Sequence, residues 1–138
     1  IGGELMAIGR NPISGTSWKV AIDDPLQFNQ RRWITTVELS DQGLATSGNY
    51  RKQRTDSLTG EKYVHSINPF TGRTVKTNVL SASVLAPDCM TADAWATALM
   101  VLPLKKGREL IENDSNLEAL WIVAKNDSLI QILSSHWK

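Results

Sequence analysis

Cysteine is nearly missing from these 138 residues: Cys89 stands alone, beside only two histidines. No intrachain disulfide can form, no Cys/His zinc pattern exists, and cysteine use says nothing of redox compartment. A long hydrophobic run is missing too, since no stretch approaches the ~20 apolar residues of a membrane-spanning helix. Charge of one sign is also lacking, with 15 Lys and Arg against 14 Asp and Glu for a net charge of +1. A nucleic-acid surface would leave a basic stripe. The nearest approaches, Arg51-Lys52-Gln53-Arg54 and Lys105-Lys106-Gly107-Arg108, are short and bordered by acids, which suits solvated faces. There is no phosphate-binding P-loop, no GxGxxG fingerprint and no Ser/His/Asp arrangement of a known motif type. Repeats, low-complexity tracts and a linker that would divide two domains are absent as well.

What is present is ordinary globular composition, 41% hydrophobic and 21% charged, enough for one domain with a core. Residues 4–9 and 18–23 are strand-like, and the turn residues Asn11-Pro12-Ile13-Ser14-Gly15 between them predict a hairpin, closed off by Asp24-Pro25. The chain opens on Ile1-Gly2-Gly3-Glu4-Leu5, which reads as the middle of a strand in something longer, with an exposed sheet edge. Residues 33–39 are β-branched and aromatic, as strands are. Further strands are expected over 44–49, from Lys62 to about Ile67 after a polar loop, and over the apolar run 79–86. The period then changes. Met90 to Leu102 is Ala-rich with helical spacing, Asp88 is a reasonable N-cap, and Pro103 ends the helix. A second helix over 104–113 would turn Leu104, Leu110 and Ile111 inward, and strands 119–124 and 128–133 joined by Asn126-Asp127 would close the chain as a hairpin. Strands first, two helices late, then two strands describe an α+β fold with a mainly antiparallel sheet.

Four stretches do not look like generic core. His65-Ser66-Ile67-Asn68-Pro69-Phe70-Thr71-Gly72 puts a histidine at a strand end before a Pro/Gly turn, where functional loops emerge, although a lone histidine is commonly a structural hydrogen-bonder. Asp93 and Thr97 are four apart, hence on one face of a helix whose Ala, Trp, Leu and Met neighbours predict burial. A carboxylate there is costly unless paired or bound to a cation. A carboxylate plus a hydroxyl is oxygen ligation suited to Mg²⁺. The same spacing also accommodates an Asp93 that interacts with the helix dipole and a Thr97 that bonds its own backbone. Leu44-Ala45-Thr46-Ser47-Gly48-Asn49-Tyr50 lets backbone approach a ligand, or is a bulged strand. Gly2-Gly3-Glu4 could present Glu4 to sugar hydroxyls, or is an exposed strand carboxylate after a bend.

Taken together and in this order, Gly-Gly-Glu, Ala-Thr-Ser-Gly-Asn-Tyr, His-Ser-Ile-Asn-Pro-Phe-Thr-Gly and Cys-Met-Thr-Ala-Asp-Ala-Trp-Ala-Thr-Ala-Leu resemble the C-terminal half of the ApbE family, the FAD:protein FMN transferases. The resemblance runs from Ile1 to the last strands. It implies an ApbE-like (T-fold-like) half domain. It also implies Mg²⁺-dependent transfer of FMN from FAD to a Thr or Ser hydroxyl of an acceptor protein, with release of AMP; some members instead hydrolyse FAD to FMN and AMP. Asp93 and Thr97 match the family's Mg²⁺ ligands, His65 matches the histidine that contacts the flavin nucleotide, and Glu4 stands at the Gly-Gly-Glu position as FAD-binding. Thr46 and Ser47 lie near the site without a role, and the general base is unassigned. Asn68 stands where many members have Asp.

Full members are about twice as long by this resemblance. Their N-terminal half, with an Ala-Lys-Gly type turn that supplies another Mg²⁺ ligand, is not among these residues. The missing half or a second chain would then complete the site. The family further implies acceptors among flavin-carrying subunits of membrane redox complexes, and a lipid-anchored location on the periplasmic side of the bacterial inner membrane. Two other readings compete: an FAD-binding protein without transfer activity, and a generic α+β interaction domain whose five tryptophans serve core and interface burial.

Overall fold

The computed structural model describes residues 3–26, 32–49, 54–55, 62–63, 66–75, 77–126 and 128–137. Among the described residues, nine strands and two helices follow in the order β1 (Glu4–Ala7), β2 (Trp18–Asp23), β3 (Trp33–Leu39), β4 (Gln42–Gly48), β5 (Arg54–Thr55), β6 (Lys62–Tyr63), β7 (Val79–Ala86), α1 (Cys89–Val101), α2 (Leu104–Glu112), β8 (Glu118–Lys125) and β9 (Ser128–Leu133). Five of the strands form one sheet in the order β1-β4-β7-β8-β9, with every neighbour antiparallel. β2 with β3, and β5 with β6, form two separate antiparallel pairs. The α+β class, the mainly antiparallel sheet and the two late helices are as the sequence indicates.

The main sheet is covered on both faces, which is why β7 and the first six residues of β8 are almost continuously buried rather than alternating, the polar Ser81, Ser83 and Glu118 included. Toward the helices point Ala45, Ala82, Val84, Ala86, Ala119, Trp121 and Val123, packed with Ala92, Ala96, Leu99 and Met100 of α1 and Ile111 of α2. Toward the other side point Ala7, Leu44, Leu85, Leu120 and Ile122, packed with Ile22, Val37 and Leu39 of the β2–β3 pair. The molecule is thus layered as helices, five-stranded sheet and two-stranded sheet.

Two expectations are corrected. The strand-like segments 4–9 and 18–23 do not pair with each other: β1 pairs with β4, and β2 pairs with β3. The Asn11 loop closes on itself, Asn11 N–H donating to Thr16 O at 2.9 Å and Gly15 N–H to Asn11 O at 2.8 Å. It carries the chain out of the main sheet into the layer below, where Ile22 meets the same core as Ala7 from the opposite side. The second correction concerns Asp93 of α1, which is exposed although its neighbours predict burial. Met90, Asp93, Ala94 and Thr97 form an exposed stripe, while Ala92, Ala96, Leu99 and Met100 are buried. Alanine occupies both stripes, so composition alone could not orient the helix.

Contacts at its first turn fix where α1 lies. Asp88 caps it, its Oδ1 accepting from Thr91 N–H at 2.8 Å and its Oδ2 from Thr91 Oγ1 at 2.9 Å. Beneath that cap is Gly43 of β4. A Cβ there would stand 2.5 Å from Asp88 C and 2.7 Å from Cys89 N, so only glycine lets the helix start rest on the strand.

Candidate functional site

The Gly43 contact and the run of α1 along β4 and β7 set Thr97 above Ser47, and the two hydroxyl oxygens are 3.1 Å apart. Asp93 lies one helical turn before Thr97 on the same exposed stripe. The first turn of α1 holds no acidic residue, so Asp93 is past the reach of the helix N-terminus, and the dipole account of this carboxylate does not apply. Thr97 also meets Ser47 on another element.

Alternation along β4 separates the two hydroxyls that the sequence left without a role. Ser47 shares the helix-side face with Ala45, whereas Thr46 points to the opposite face and meets Ser83 Oγ at 2.8 Å. Glu4 is opposite Ala45 in the β1–β4 register, and therefore on the face that carries Ser47 and α1. The residue before it, Gly3, has φ 146°, a backbone conformation that side chains other than hydrogen rarely allow. The structure thus brings Glu4, Ser47, Asp93 and Thr97 to one side of the sheet, near the β1 edge.

His65 and Gly2 lie outside the described residues. The part of the His65 motif that is described, Ser66 onward, is a closed loop. Asn68 N–H donates to Arg73 O at 2.9 Å, Gly72 N–H to Asn68 O at 2.8 Å, and the Asn68 side chain accepts from Phe70 N–H at 2.9 Å. Ser66 Oγ donates to Asn49 Oδ1 at 3.2 Å, a contact across 17 residues of sequence. Asn49 is buried at 2% exposure, and its Nδ2 has no partner among the described residues. Sequence reasoning named Asn49 only as part of a small-residue stretch; burial at a strand end leaves no local signal.

The oxygen donors of α1 fit a hard cation. Carboxylate and hydroxyl oxygens are what Mg²⁺ takes, and it commonly uses one or two carboxylates and fills its shell with waters and phosphate oxygens. Among the described residues no cluster of three His, Cys, Asp or Glu could hold a metal. A hydroxyl that gives a lone pair to a cation must aim its proton elsewhere, and Ser47 Oγ, which can donate or accept in this pair, is one acceptor in reach. Fold and donors together define an antiparallel α+β module with an oxygen-rich helix face at its sheet edge.

The family model for the ApbE family matches residues 1–121. The whole chain aligns, at 38% identity, with 40% of a Vibrio cholerae protein named FAD:protein FMN transferase. It aligns at 36% identity with 39% of the Haemophilus influenzae protein of the same name. Among solved structures, the flavin transferase ApbE from Vibrio cholerae superposes with a TM-score of 0.76 at 36% identity, over 98% of this chain and 41% of that one. The apo flavinyl transferase ApbE of Pseudomonas stutzeri gives 0.76 at 31% identity, over 98% and 40%. The chain belongs to the ApbE family, and it spans about two fifths of the length of these relatives.

Proposed function

We propose that this chain is the C-terminal part of an ApbE-type flavin transferase domain. On this reading it supplies the Asp93–Thr97 side of a site that moves FMN from FAD to a Thr or Ser hydroxyl of an acceptor protein and releases AMP. The observation that carries the reading is the Asp93–Thr97 stripe, left exposed on a helix otherwise packed into the core, with Ser47 set against Thr97. In the reaction the acceptor oxygen bonds to the FMN phosphorus, the bond from that phosphorus to the oxygen bridging to AMP breaks, and the hydroxyl proton leaves to a base. Mg²⁺ held by Asp93 and Thr97 would supply charge neutralisation and Lewis acidity at the pyrophosphate. The chain's own contribution is positioning, the larger share of phosphoryl-transfer catalysis. Glu4 and His65 are assigned to FAD, and the remaining donors to the segment that the longer relatives contain. The acceptors on this reading are flavin-carrying subunits of membrane redox complexes, and the work is done on the periplasmic side of the bacterial inner membrane by a lipid-anchored protein.

The test is AMP release from FAD with Mg²⁺, measured by chromatography with and without the separately expressed N-terminal half of the domain and with and without an acceptor peptide. AMP formed only when both parts are present, and lost in Asp93→Ala, is the expected result. AMP formed equally without an acceptor, with no flavin on the peptide, would make the protein an FAD hydrolase. Flavin binding with no AMP in any combination would leave an FAD-binding protein.

A further inference from the structure

We infer that Asn49 is a positioning residue: a buried latch that holds the Ser66–Val75 loop, which follows His65 in the sequence, against the strand that carries Ser47. The inference rests on the reading above for its function, not for its geometry. Asn49 directly follows β4 and lies two residues beyond Ser47. Its backbone is fixed to β7, Asn49 N–H donating to Leu80 O at 2.9 Å. Its side chain, on a residue 2% exposed, accepts a hydrogen bond from Ser66 Oγ at 3.2 Å. From Ser66 the chain runs out through the Asn68 turn and returns, with Ile67 bridged to Thr74 and Val75 N–H donating to Ser66 O at 3.2 Å. Both legs of the described loop therefore meet at Ser66, and Ser66 is tied to Asn49.

Stability alone gives a poor account of an asparagine here. Turning the amide over only exchanges which of its two polar atoms lacks a partner, and a half-satisfied buried amide is worse for folding than an apolar side chain of the same shape. What the amide does provide is a fixed direction. One hydrogen bond sets the residue next to His65 relative to the strand whose other contact, Ser47 to Thr97, orients the helix donors. The two parts of the site that the sequence separates by about 30 residues are thereby referred to one strand end.

The experiment is a double-mutant cycle of Asn49→Ala and Ser66→Ala, read in two ways. The first readout, on the chain itself without FAD, is amide hydrogen exchange at Asn68 and Val75, with Leu99 in α1 as internal reference. Each single variant is expected to speed exchange in the loop at least tenfold, the double variant no further, with α1 unchanged. The second readout is AMP release by the complete site, where each variant is expected to lower kcat about tenfold, again without a further drop in the double. Wild-type exchange in the loop of Ser66→Ala, or losses that multiply in the double variant, would overturn the latch. Ser66→Ala removes only a half-buried hydroxyl, so it carries the test if Asn49→Ala does not fold. Absence of AMP in the unmutated protein would overturn the transferase reading while leaving the exchange result to decide the latch.

Discussion

The Ser47–Thr97 pair shows how much chemistry a single contact can settle. Thr97 has one proton and two lone pairs, and Ser47 at 3.1 Å can take the proton. Ser47→Ala should therefore weaken Mg²⁺ binding by roughly tenfold, the lower end of what outer contacts to metal ligands contribute. Calorimetric titration of the complete site with Mg²⁺ reads this, and an unchanged affinity would remove Ser47 from the site. Asp93→Ala should abolish Mg²⁺-dependent AMP release with little change in melting temperature, because the side chain is exposed. Asp88 has a different task. Hydrogen bonds from the backbone and then the side chain of Thr91 hold its carboxyl below its ordinary value of 3.8. Glu112 is held below 4.5 by bonds from the side chain and backbone of Ser135, with smaller help from Arg108 and His136. A depressed carboxyl stabilises the fold above its unfolded value, and that contribution is lost as pH falls through the folded one. Melting temperature should accordingly be level from pH 7 to about 5 and decline below about 4.5. The variant Asp88→Asn, which keeps a capping oxygen, should flatten part of the decline in a pH series of thermal melts, whereas Asp88→Ala should lower the melting temperature at neutral pH.

Between elements, the contact of α1 with β4 is the joint on which the site depends. Gly43 allows the helix start to lie where a Cβ would meet backbone atoms of Asp88 and Cys89 at 2.5–2.7 Å. Backbone cannot swing aside as a side-chain end can. Gly43→Ala should cost about 1–3 kcal/mol, as overpacking does. Because α1 must lift, it should also lengthen the Ser47–Thr97 contact and lower kcat without altering acceptor KM. Denaturant melts and steady-state kinetics on the same variant separate the two effects. This joint was not legible in the sequence. The N-cap at Asp88, the stop at Pro103 and the strand 79–86 could be read from local chemistry, but a strand glycine announces neither a helix above it nor which helix. The expected 4–9/18–23 hairpin failed for a related reason. The Asn11 loop has good turn residues, yet whether a turn joins two paired strands or passes between layers depends on what else competes for the strand edges.

At the scale of the whole molecule, the sheet is the scaffold and its two covered faces are the stability. Leu85 is fully buried among the residues facing the β2–β3 pair, so Leu85→Ala should destabilise by roughly 2–5 kcal/mol, measured by urea unfolding. It lies on the face away from the Asp93–Thr97 stripe, so AMP release by the folded fraction should persist. The same division of labour explains why the polar groups of the candidate site cluster at the β4 end and along the outer stripe of α1.

By itself the sequence determined most of the local order: where the longer strands lie, where the helices start and stop, and the four motifs that carry the family resemblance, but not the short strand β5. Those features depend on residues a few positions apart, through alternation, helical spacing, capping and turn chemistry. Only the tertiary structure decided which strands pair, which stripe of α1 faces outward, that Ser47 rather than Thr46 meets Thr97, and that Asn49 holds Ser66. Each of these is a contact between residues distant in the chain. Small residues such as Ala, Ser and Gly suit either face of an element, and the competition for burial across the whole sheet assigns them.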